Sequence, residues 1–478
     1  MGTRVTAALL AAALAGMTAP VAAQGTAPPT WRWSVANVTR VESWRFFEPP
    51  PSGGDPTYAF AANRLRVGLA GTWPRVDLQA VGQYVQFGGL PARAAGPGAL
   101  GTGALYFSHS GETASRGIYL RALNVRARLP RGVSLQAGRF GYASGNEAGS
   151  GVPRIDGLKR ARIDSRLIGE FEWSLYQRTF DGARLDVDRR RWHATSAWLR
   201  PTQGGFEEDA GSSLSEVDVF AGTLVLRPGA GLPRTDVSLF AYRYRDTRPV
   251  AARPDNTGRG AARVNVGVTT FGASAVGAAP AGAGDVDWLA WFAAQTGDWY
   301  GQDHGAYSLA LEAGYQWKAR WQPWVRVGYL DASGDDDPAD DRHGTFFPML
   351  PTVRKYAMTT AYATMNLRDL FAELSVRPSP RVTARGDARR LRLSSARDLW
   401  YGGSGATQRR GTFFGYAGRR SGGSADLGTA VQGALDVRLS PRWSANAFLG
   451  VIRAGRAVEA TFAGRTLRFF YLESVVQW

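Results

Sequence analysis

The sequence predicts an all-β fold: a transmembrane antiparallel β-barrel of about eighteen strands, with short turns at one end and long loops at the other. Three observations predict it. Most of the chain divides into segments of roughly ten to fifteen residues that alternate apolar and polar. Nearly every second connection is a tight Pro/Gly/Arg turn, and the intervening ones are mostly long and polar. The last segment, Phe469 to Trp478, alternates to its end and closes the chain on an aromatic residue.

The chain opens with one early positive charge, Arg4, an apolar run from Val5 to Ala15, and the small residues Val21-Ala22-Ala23 before Gln24. Those features read as a secretory signal over residues 1–23, with an apolar core too short to span a bilayer. Residues 24–478 are then expected to form a single barrel domain. A length of 478 residues alone would suggest several soluble domains of roughly 150 residues each, but no linker divides the chain. Apolar runs such as Trp288 to Ala294 fall far short of the ~18 residues that a spanning helix needs. With no cysteine in the chain, disulfides, thiolate metal sites and cysteine nucleophiles are excluded. Rigidity must come from elsewhere, and a closed sheet supplies it by pairing every backbone donor and acceptor inside the membrane.

Strands are expected near residues 31–46, 59–73, 75–87, 115–129, 132–142, 168–180, 190–200, 216–227, 235–246, 262–275, 285–297, 305–317, 321–331, 368–377, 381–394, 427–439, 442–453 and 466–478. In Ser308 to Lys318, Leu309, Leu311, Ala313, Tyr315 and Trp317 share one face, and Glu312, Gln316 and Lys318 share the other. The strands of Ala430 to Leu439 behave alike, with Val431, Leu435 and Leu439 opposing Gln432, Asp436 and Arg438. A soluble sandwich alternates in the same way, so the connections arbitrate. Trp73-Pro74, Pro130-Arg131-Gly132, Lys318-Ala319-Arg320 and Ser440-Pro441 are tight, whereas Gly88 to Ala114, Ala143 to Arg166, Ala332 to Leu367 and Ser395 to Asp426 are long. Short periplasmic turns and long extracellular loops give that rhythm, and an even strand number leaves both termini in the periplasm. Phe180 to Arg191 is too polar to place cleanly, so sixteen strands is the alternative count. Either width leaves room for an aqueous channel.

Aromatic residues gather at expected strand ends: Trp31, Trp33, Trp44, Trp73, Trp198, Trp299, Tyr300, Trp321 and Trp443. Amphipathic rings at headgroup level would form two girdles. On the last strand, Phe470, Leu472, Ser474, Val476 and Trp478 are expected to face lipid, and Tyr471, Glu473, Val475 and Gln477 the lumen. A terminal aromatic of this kind resembles the signal that outer-membrane insertion machinery recognises. The expected location is therefore a Gram-negative outer membrane, with lipid and the insertion machinery as partners.

The net charge is +17, and of 57 basic residues only Lys159, Lys318 and Lys355 are lysine. A basic total fits nucleic acid as well as an anionic solute, but export disfavours nucleic acid. On the alternation, Arg64, Arg66, Arg126, Arg128, Arg243, Arg326 and Arg392 are expected to point into the lumen. Guanidinium groups stay charged and grip carboxylates with two parallel hydrogen bonds, so such a lining favours a carboxylate-bearing polyanion. Individually, each arginine also fits a wall-stiffening role, paired with inward acids such as Glu312, Glu373 and Asp436.

Leu135 to Glu147, Asp156-Gly157-Leu158 and Phe171 to Gly182, the last carrying Arg178-Thr-Phe-Asp181-Gly182, resemble successive elements of the alginate export porins. Asn366 to Asp369, Asp398 to Tyr401 and Asp426 to Asp436 resemble the last third of that family in order. The resemblance implies an eighteen-strand, arginine-lined conduit that passes a uronate polysaccharide outward without an energy source. It marks Arg139, Arg178 and Asp181 as contact positions, with Arg139 a lumen electrostatic contact and Asp181-Gly182 read as a hairpin turn. Phe140 stands where the family usually has Gln.

Catalytic readings find little support. His109, His193, His304 and His343 fall in separate segments without a metal-binding spacing, and Ser108-His109-Ser110 reads as a surface loop. No cofactor is expected. Asp335, Asp336 and Asp337, with Asp340 and Asp341, offer oxygen ligands for Ca²⁺ but lack the twelve-position EF-hand pattern. A solvated acidic loop and an inward gate against the arginines are the other readings. The expected function is a passive, anion-selective conduit for an acidic polysaccharide, with a porin for small anions as the alternative. Periplasmic export components stay open as further partners.

Overall fold

The computed structural model describes residues 29–352 and 361–478. The expected signal segment, residues 1–23, lies outside the described residues. In chain order the strands are β1 (Thr30–Arg45), β2 (Thr57–Thr72), β3 (Val76–Gly88), β4 (Arg116–Leu129), β5 (Val133–Phe140), β6 (Phe180–Asp188), β7 (Trp192–Pro201), β8 (Val217–Leu226), β9 (Thr235–Asp246), β10 (Val266–Ala281), β11 (Gly284–Trp299), β12 (Gln302–Trp317), β13 (Trp324–Ala332), β14 (Arg342–His343), β15 (Leu367–Ser379), β16 (Val382–Arg392), β17 (Trp400–Gly403), β18 (Tyr416–Arg419), β19 (Asp426–Ser440), β20 (Trp443–Ala454) and β21 (Thr466–Gln477). Eighteen of them build the wall, each antiparallel to its neighbours. The other three are β14, a short parallel appendage on β12, and the separate β17–β18 hairpin.

β1 pairs with both β2 and β21, from Ala36 opposite Gln477 to Arg45 opposite Arg468, which closes the cylinder. Trp478 completes the seam: its N–H donates to the Val35 carbonyl at 2.9 Å. Among the described residues the wall has no unpaired edge, as a strand crossing hydrocarbon requires. No helix among the described residues is long and apolar enough to cross a membrane.

The turns at the periplasmic end are short because their residues accept left-handed backbone. Arg131 and Gly132 both have positive φ, 58° and 62°, between β4 and β5. One extracellular connection is equally tight, with Tyr300 and Gly301 at φ 52° and 84° joining β11 to β12. The remaining extracellular loops are long, and they carry α1 (Thr102–Ser110), α2 (Pro153–Leu158), a π-helical turn (Lys159–Ile163) and α3 (Arg456–Glu459).

Lipid-facing positions form an apolar band that includes Ile118, Phe220, Phe271, Leu311, Leu370 and Val431, all exposed. Trp31, Trp33, Trp321, Trp443 and Trp478 are exposed around the short-turn end and make a periplasmic girdle. The opposite girdle departs from expectation. Trp44 and Trp299, expected at headgroup level, are inward and almost wholly buried. Trp44 stacks on Phe469 at 4.0 Å, and Trp299 stacks on His343 at 4.2 Å.

One strand also shifts. The stretch expected as a strand over 168–180 is loop, and the wall resumes with β6 at Phe180. Phe171, Trp173, Leu175 and Tyr176 are apolar because they pack inside the barrel mouth, not because they face lipid. Asp181-Gly182, expected as a turn, lies within β6, with Asp181 opposite Arg139 and Gly182 opposite Gly138.

Candidate functional site

Register decides which side chains reach the lumen. Val38, Arg40, Glu42 and Trp44 are buried on β1, and Val38 lies opposite Arg64 and Ala36 opposite Arg66, so both β2 arginines point inward. On β4 a bulge against Val81 and Gly82 turns both Arg121 and Ala122 inward and leaves Leu120 and Leu123 outside. Below it Arg126 and Arg128 face the lumen. Arg126 donates to Ser134, and Arg128 bonds Asp77 at 2.7 Å near the periplasmic rim. Glu312, Arg326, Glu373 and Asp436 are inward as well.

Three expected lumen residues, Arg139, Arg243 and Arg392, are on the other side of the wall. Arg139 lies opposite the exposed Leu123 and pairs with Asp181 on the outer surface, through bonds of 2.7 and 2.8 Å. Arg243 is exposed opposite Phe220 and donates to Thr269. Arg392 is exposed opposite Arg368, while its neighbours Leu391 and Leu393 are buried inside. The cause is common to all three. They sit near the extracellular ends of their strands, where in-folded loops make the inner face apolar and headgroups and water make the outer face polar. Arg178, expected as a contact position, is instead fully buried in the loop before β6, donates to the Ser404 carbonyl, and touches no open lumen.

The loop between β5 and β6 descends into the barrel. Its basic residues tie it to one wall: Lys159 to Asp236 of β9 at 2.9 Å, Arg154 to Asp287 of β11 at 2.7 Å, and Arg162 to Glu312 of β12 at 2.8 Å. Arg166 and Arg326 meet the same Glu312 at 3.3 and 2.7 Å, so one carboxylate gathers three guanidinium groups. Asp236 and Asp287 lie close to the short-turn ends of their strands, which places α2 deep in the cylinder. The loop also reaches the opposite wall. Glu170 pairs with Arg121, Gln177 accepts from Arg66, and the Arg40 guanidinium lies 3.6 Å from the Trp173 ring centre while donating to the Trp173 carbonyl at 2.8 Å. The segment therefore bridges the lumen, filling space that the strand count alone would leave to water.

A cavity of about 1090 Å³ lies on the periplasmic side of this bridge. Its lower rim includes Gln322, Pro380 and Arg381 from the short turns, and its roof is Pro153, Arg154, Leu158 and Trp173. Among the described residues, nine arginines and five carboxylates line it. Inward Arg385, Arg389 and Arg438 stand beside Glu373 and Asp436, while Arg40 bonds Glu473 at 2.6 Å. Sequence reasoning missed Arg40, Arg160, Arg162 and Arg385. Alternation could have found Arg40 and Arg385, which share faces with Glu42 and Asp387. Nothing in a loop's pattern marks Arg160 or Arg162 as residents of the lumen.

Above the bridge the other extracellular loops pack on one another. Asp335 is buried beside Asp398, and the backbone N–H of Asp335 donates to the Asp398 carboxylate at 3.0 Å. Burial raises both carboxyl pKa values from the usual range, to about 7 for Asp335, where the Asp398 charge adds, and to about 6 for Asp398 despite bonds from Thr345 and Tyr401. Asp335, Asp336 and Asp337 do not converge: no group of three or more His, Cys, Asp or Glu side chains suited to a metal ion occurs among the described residues. Nor does the acidic loop reach the arginines of the vestibule. Its contacts are with other loops, Asp336 with Arg397 and Asp341 with Arg259. Ser108-His109-Ser110 ends α1, and His109 pairs with Glu207 rather than with a serine.

The same architecture recurs in solved proteins. OccK2 (OpdF) of Pseudomonas aeruginosa, solved in complex with glucuronate, superposes with a TM-score of 0.58 at 8% identity over 94% of this chain and 97% of that one. OccK5 (OpdH) of the same organism gives 0.56 at 10% identity over 93% and 97%, and OccAB4 of Acinetobacter baumannii gives 0.55 at 8% over 96% and 100%. At these identities the likeness is one of fold. No curated protein matches the sequence. A family model described as alginate export matches residues 158–469, well over half of the chain. Fold and family are those of channels rather than enzymes, and with the closed eighteen-strand wall they identify the chain as a passive outer-membrane β-barrel channel belonging to the alginate export family.

Proposed function

We propose that the chain conducts an acidic, alginate-like polysaccharide from periplasm to exterior through an anion-selective lumen. The observation that carries this reading is the vestibule, where nine arginines stand against five carboxylates on the side from which an exported chain enters. Uronate units repeat a carboxylate along the polymer, and spaced guanidinium groups offer each a charge-assisted bond in turn. Arg64 faces the lumen near Arg40, Arg66 and Arg121 and makes no ion pair among the described residues, so no wall carboxylate competes with a solute for its guanidinium. Arg66, Arg126, Arg128, Glu373 and Asp436 complete the proposed lining. Arg326 and Glu312 serve instead to hold the bridge.

A second reading, a porin for small anions, is favoured by the bridge itself. A segment bonded to both walls narrows the path, which suits a monomeric acid better than a polymer. The fold-mate OccK2 was solved with glucuronate, a single uronate. Planar-bilayer recording separates the two. Block of an anion-selective current by micromolar oligo-uronate, with monomeric glucuronate inert at that concentration, is the result expected for a polymer conduit. Equal potency of monomer and oligomer would favour the small-anion porin, and a cation-selective current would sink both.

A further inference from the structure

The outer surface of the wall carries a second basic feature, unconnected with the lumen. On the contiguous strands β1, β21, β20, β19, β16 and β15, the outward positions near the extracellular end are Arg45, Arg468, Arg453, Arg390, Arg392 and Arg368, all exposed. Two outer-rim carboxylates accompany them: Asp426 takes Arg390 at 2.9 Å and Asp331 takes Arg368 at 3.2 Å. The strands' other acids here, Glu42, Glu473, Asp369, Glu373, Asp387 and Asp436, face inward. Arg45, Arg392, Arg453 and Arg468 make no ion pair or side-chain hydrogen bond among the described residues.

The register makes the Arg45–Arg468 pairing the costly part of this arrangement, since Arg392 has Asp426 on its other side and Arg368 has Asp331. Arg45 is directly opposite Arg468, and Arg368 is directly opposite Arg392. Like charges at paired positions repel, with Cβ atoms only about 5 Å apart. An anion seated between them would turn that repulsion into attraction. Height selects the anion. Arg468 and Arg368 are two residues above the lipid-facing Phe470 and Leu370, and Arg45 and Arg453 are four above Val41 and Leu449. At about 3.3 Å per residue along strands tilted by about 40°, these positions lie roughly 5–10 Å above those apolar residues, the level of lipid headgroups.

We propose that this face binds an outer-leaflet lipid whose headgroup carries phosphate, held by Arg45 with Arg468, by Arg453, and by Arg392. Guanidinium groups match phosphate oxygens in paired bonds, and acyl chains of the same lipid would lie along Phe470, Leu472, Leu449 and Leu370 below. The site would be built from residues that play no part in the lumen, so it stands whatever the channel carries.

Native mass spectrometry of the full chain in neutral detergent tests it, with bis-phosphorylated lipid A and the same lipid stripped of phosphate as probes. The expected result is at least a tenfold preference for the phosphorylated form, weakening with added salt. The combined variant Arg45→Gln, Arg392→Gln, Arg453→Gln and Arg468→Gln should lower affinity for the phosphorylated lipid about tenfold or more and leave the phosphate-free lipid and channel conductance unchanged. Equal binding of both lipids by the unaltered protein overturns the proposal, as does a folded variant that keeps the preference. Displacement by equimolar inorganic phosphate overturns the assignment to a lipid. If the variant fails to fold, judged by heat-shifted gel migration, the two-lipid comparison on the unaltered protein decides alone.

Discussion

The lower and upper halves of the same cylinder sort their side chains in opposite senses. Toward the short turns, Leu311, Val431 and Leu435 point out, and Gln432, Asp436, Arg385 and Glu373 point in. Toward the long loops, Phe60, Phe87, Tyr244, Leu391 and Trp299 are buried inside, and Arg243, Arg392 and Arg468 stand outside. The backbone pleat is the same throughout; what changes is the medium on each side. Below, hydrocarbon lies outside and a wet vestibule inside. Above, headgroups lie outside and packed loops inside. The comparison teaches that "apolar out, polar in" describes the solvents flanking a membrane strand, not the strand.

The largest expected effect breaks the joint between the halves. Glu312→Leu removes the carboxylate shared by Arg162, Arg166 and Arg326, a loss on the order of 3–5 kcal/mol for a buried charge group deprived of its partner. The wall should stay folded while the bridge loosens. Single-channel conductance should rise, and protease should cut between residues 141 and 179. Unchanged conductance with a protected bridge would mean that Glu312 is not the anchor.

Exchanging side chains between the halves comes next. Val431→Arg places a charge in the apolar band and should destabilise the barrel by ~2–4 kcal/mol in a urea titration in lipid vesicles. Arg392→Leu, on the same outer surface but higher, should change stability by less than about 1 kcal/mol. Similar costs for both would remove the distinction drawn between the two levels.

Selectivity gives the third test. Arg385→Glu with Arg438→Glu, both in the vestibule, should shift the reversal potential in a salt gradient toward cations. Arg243→Glu, outward and above, should leave it where it was. A shift from Arg243→Glu alone would place that residue in the conduction path after all.

The smallest effect concerns the loops of the upper half. Asp335 and Asp398 have folded pKa values of about 7 and about 6, above their unfolded range, because burial disfavours the charged form. The folded loops thus bind protons that unfolded loops release. Their packing should be firmest in acid and weaken as pH rises from about 4 through 7. Hydrogen exchange, corrected for its intrinsic pH dependence, should show residues 333–345 and 395–401 less protected at pH 8 than at pH 5. Asp335→Asn should flatten that difference.

Much of this was legible beforehand. Alternation with tight and long connections points to the barrel and to eighteen strands, and the phase of β2, β12, β19 and β21 follows from the pattern alone. The errors cluster where one pattern has two causes. Leu391 between two arginines reads as a lipid-facing residue with lumen-facing neighbours, and the reverse holds because loops supply an apolar interior at that height. Phe171 to Tyr176 reads as a strand because burial in a loop core selects the same residues as burial against lipid. At β4 a bulge slipped the phase by one residue and brought Arg121 to the lumen, a change that no periodicity reports.

By itself, then, the sequence determined that the chain spans a membrane with strands, because a period of two and a turn chemistry are local properties written residue by residue. It also determined that the chain is rich in arginine. Only the tertiary structure decided where those arginines act. A guanidinium group's role depends on what lies across from it, and that was set by loops folding back through the lumen to Glu312 and Asp236, and by the closure that puts Arg45 beside Arg468.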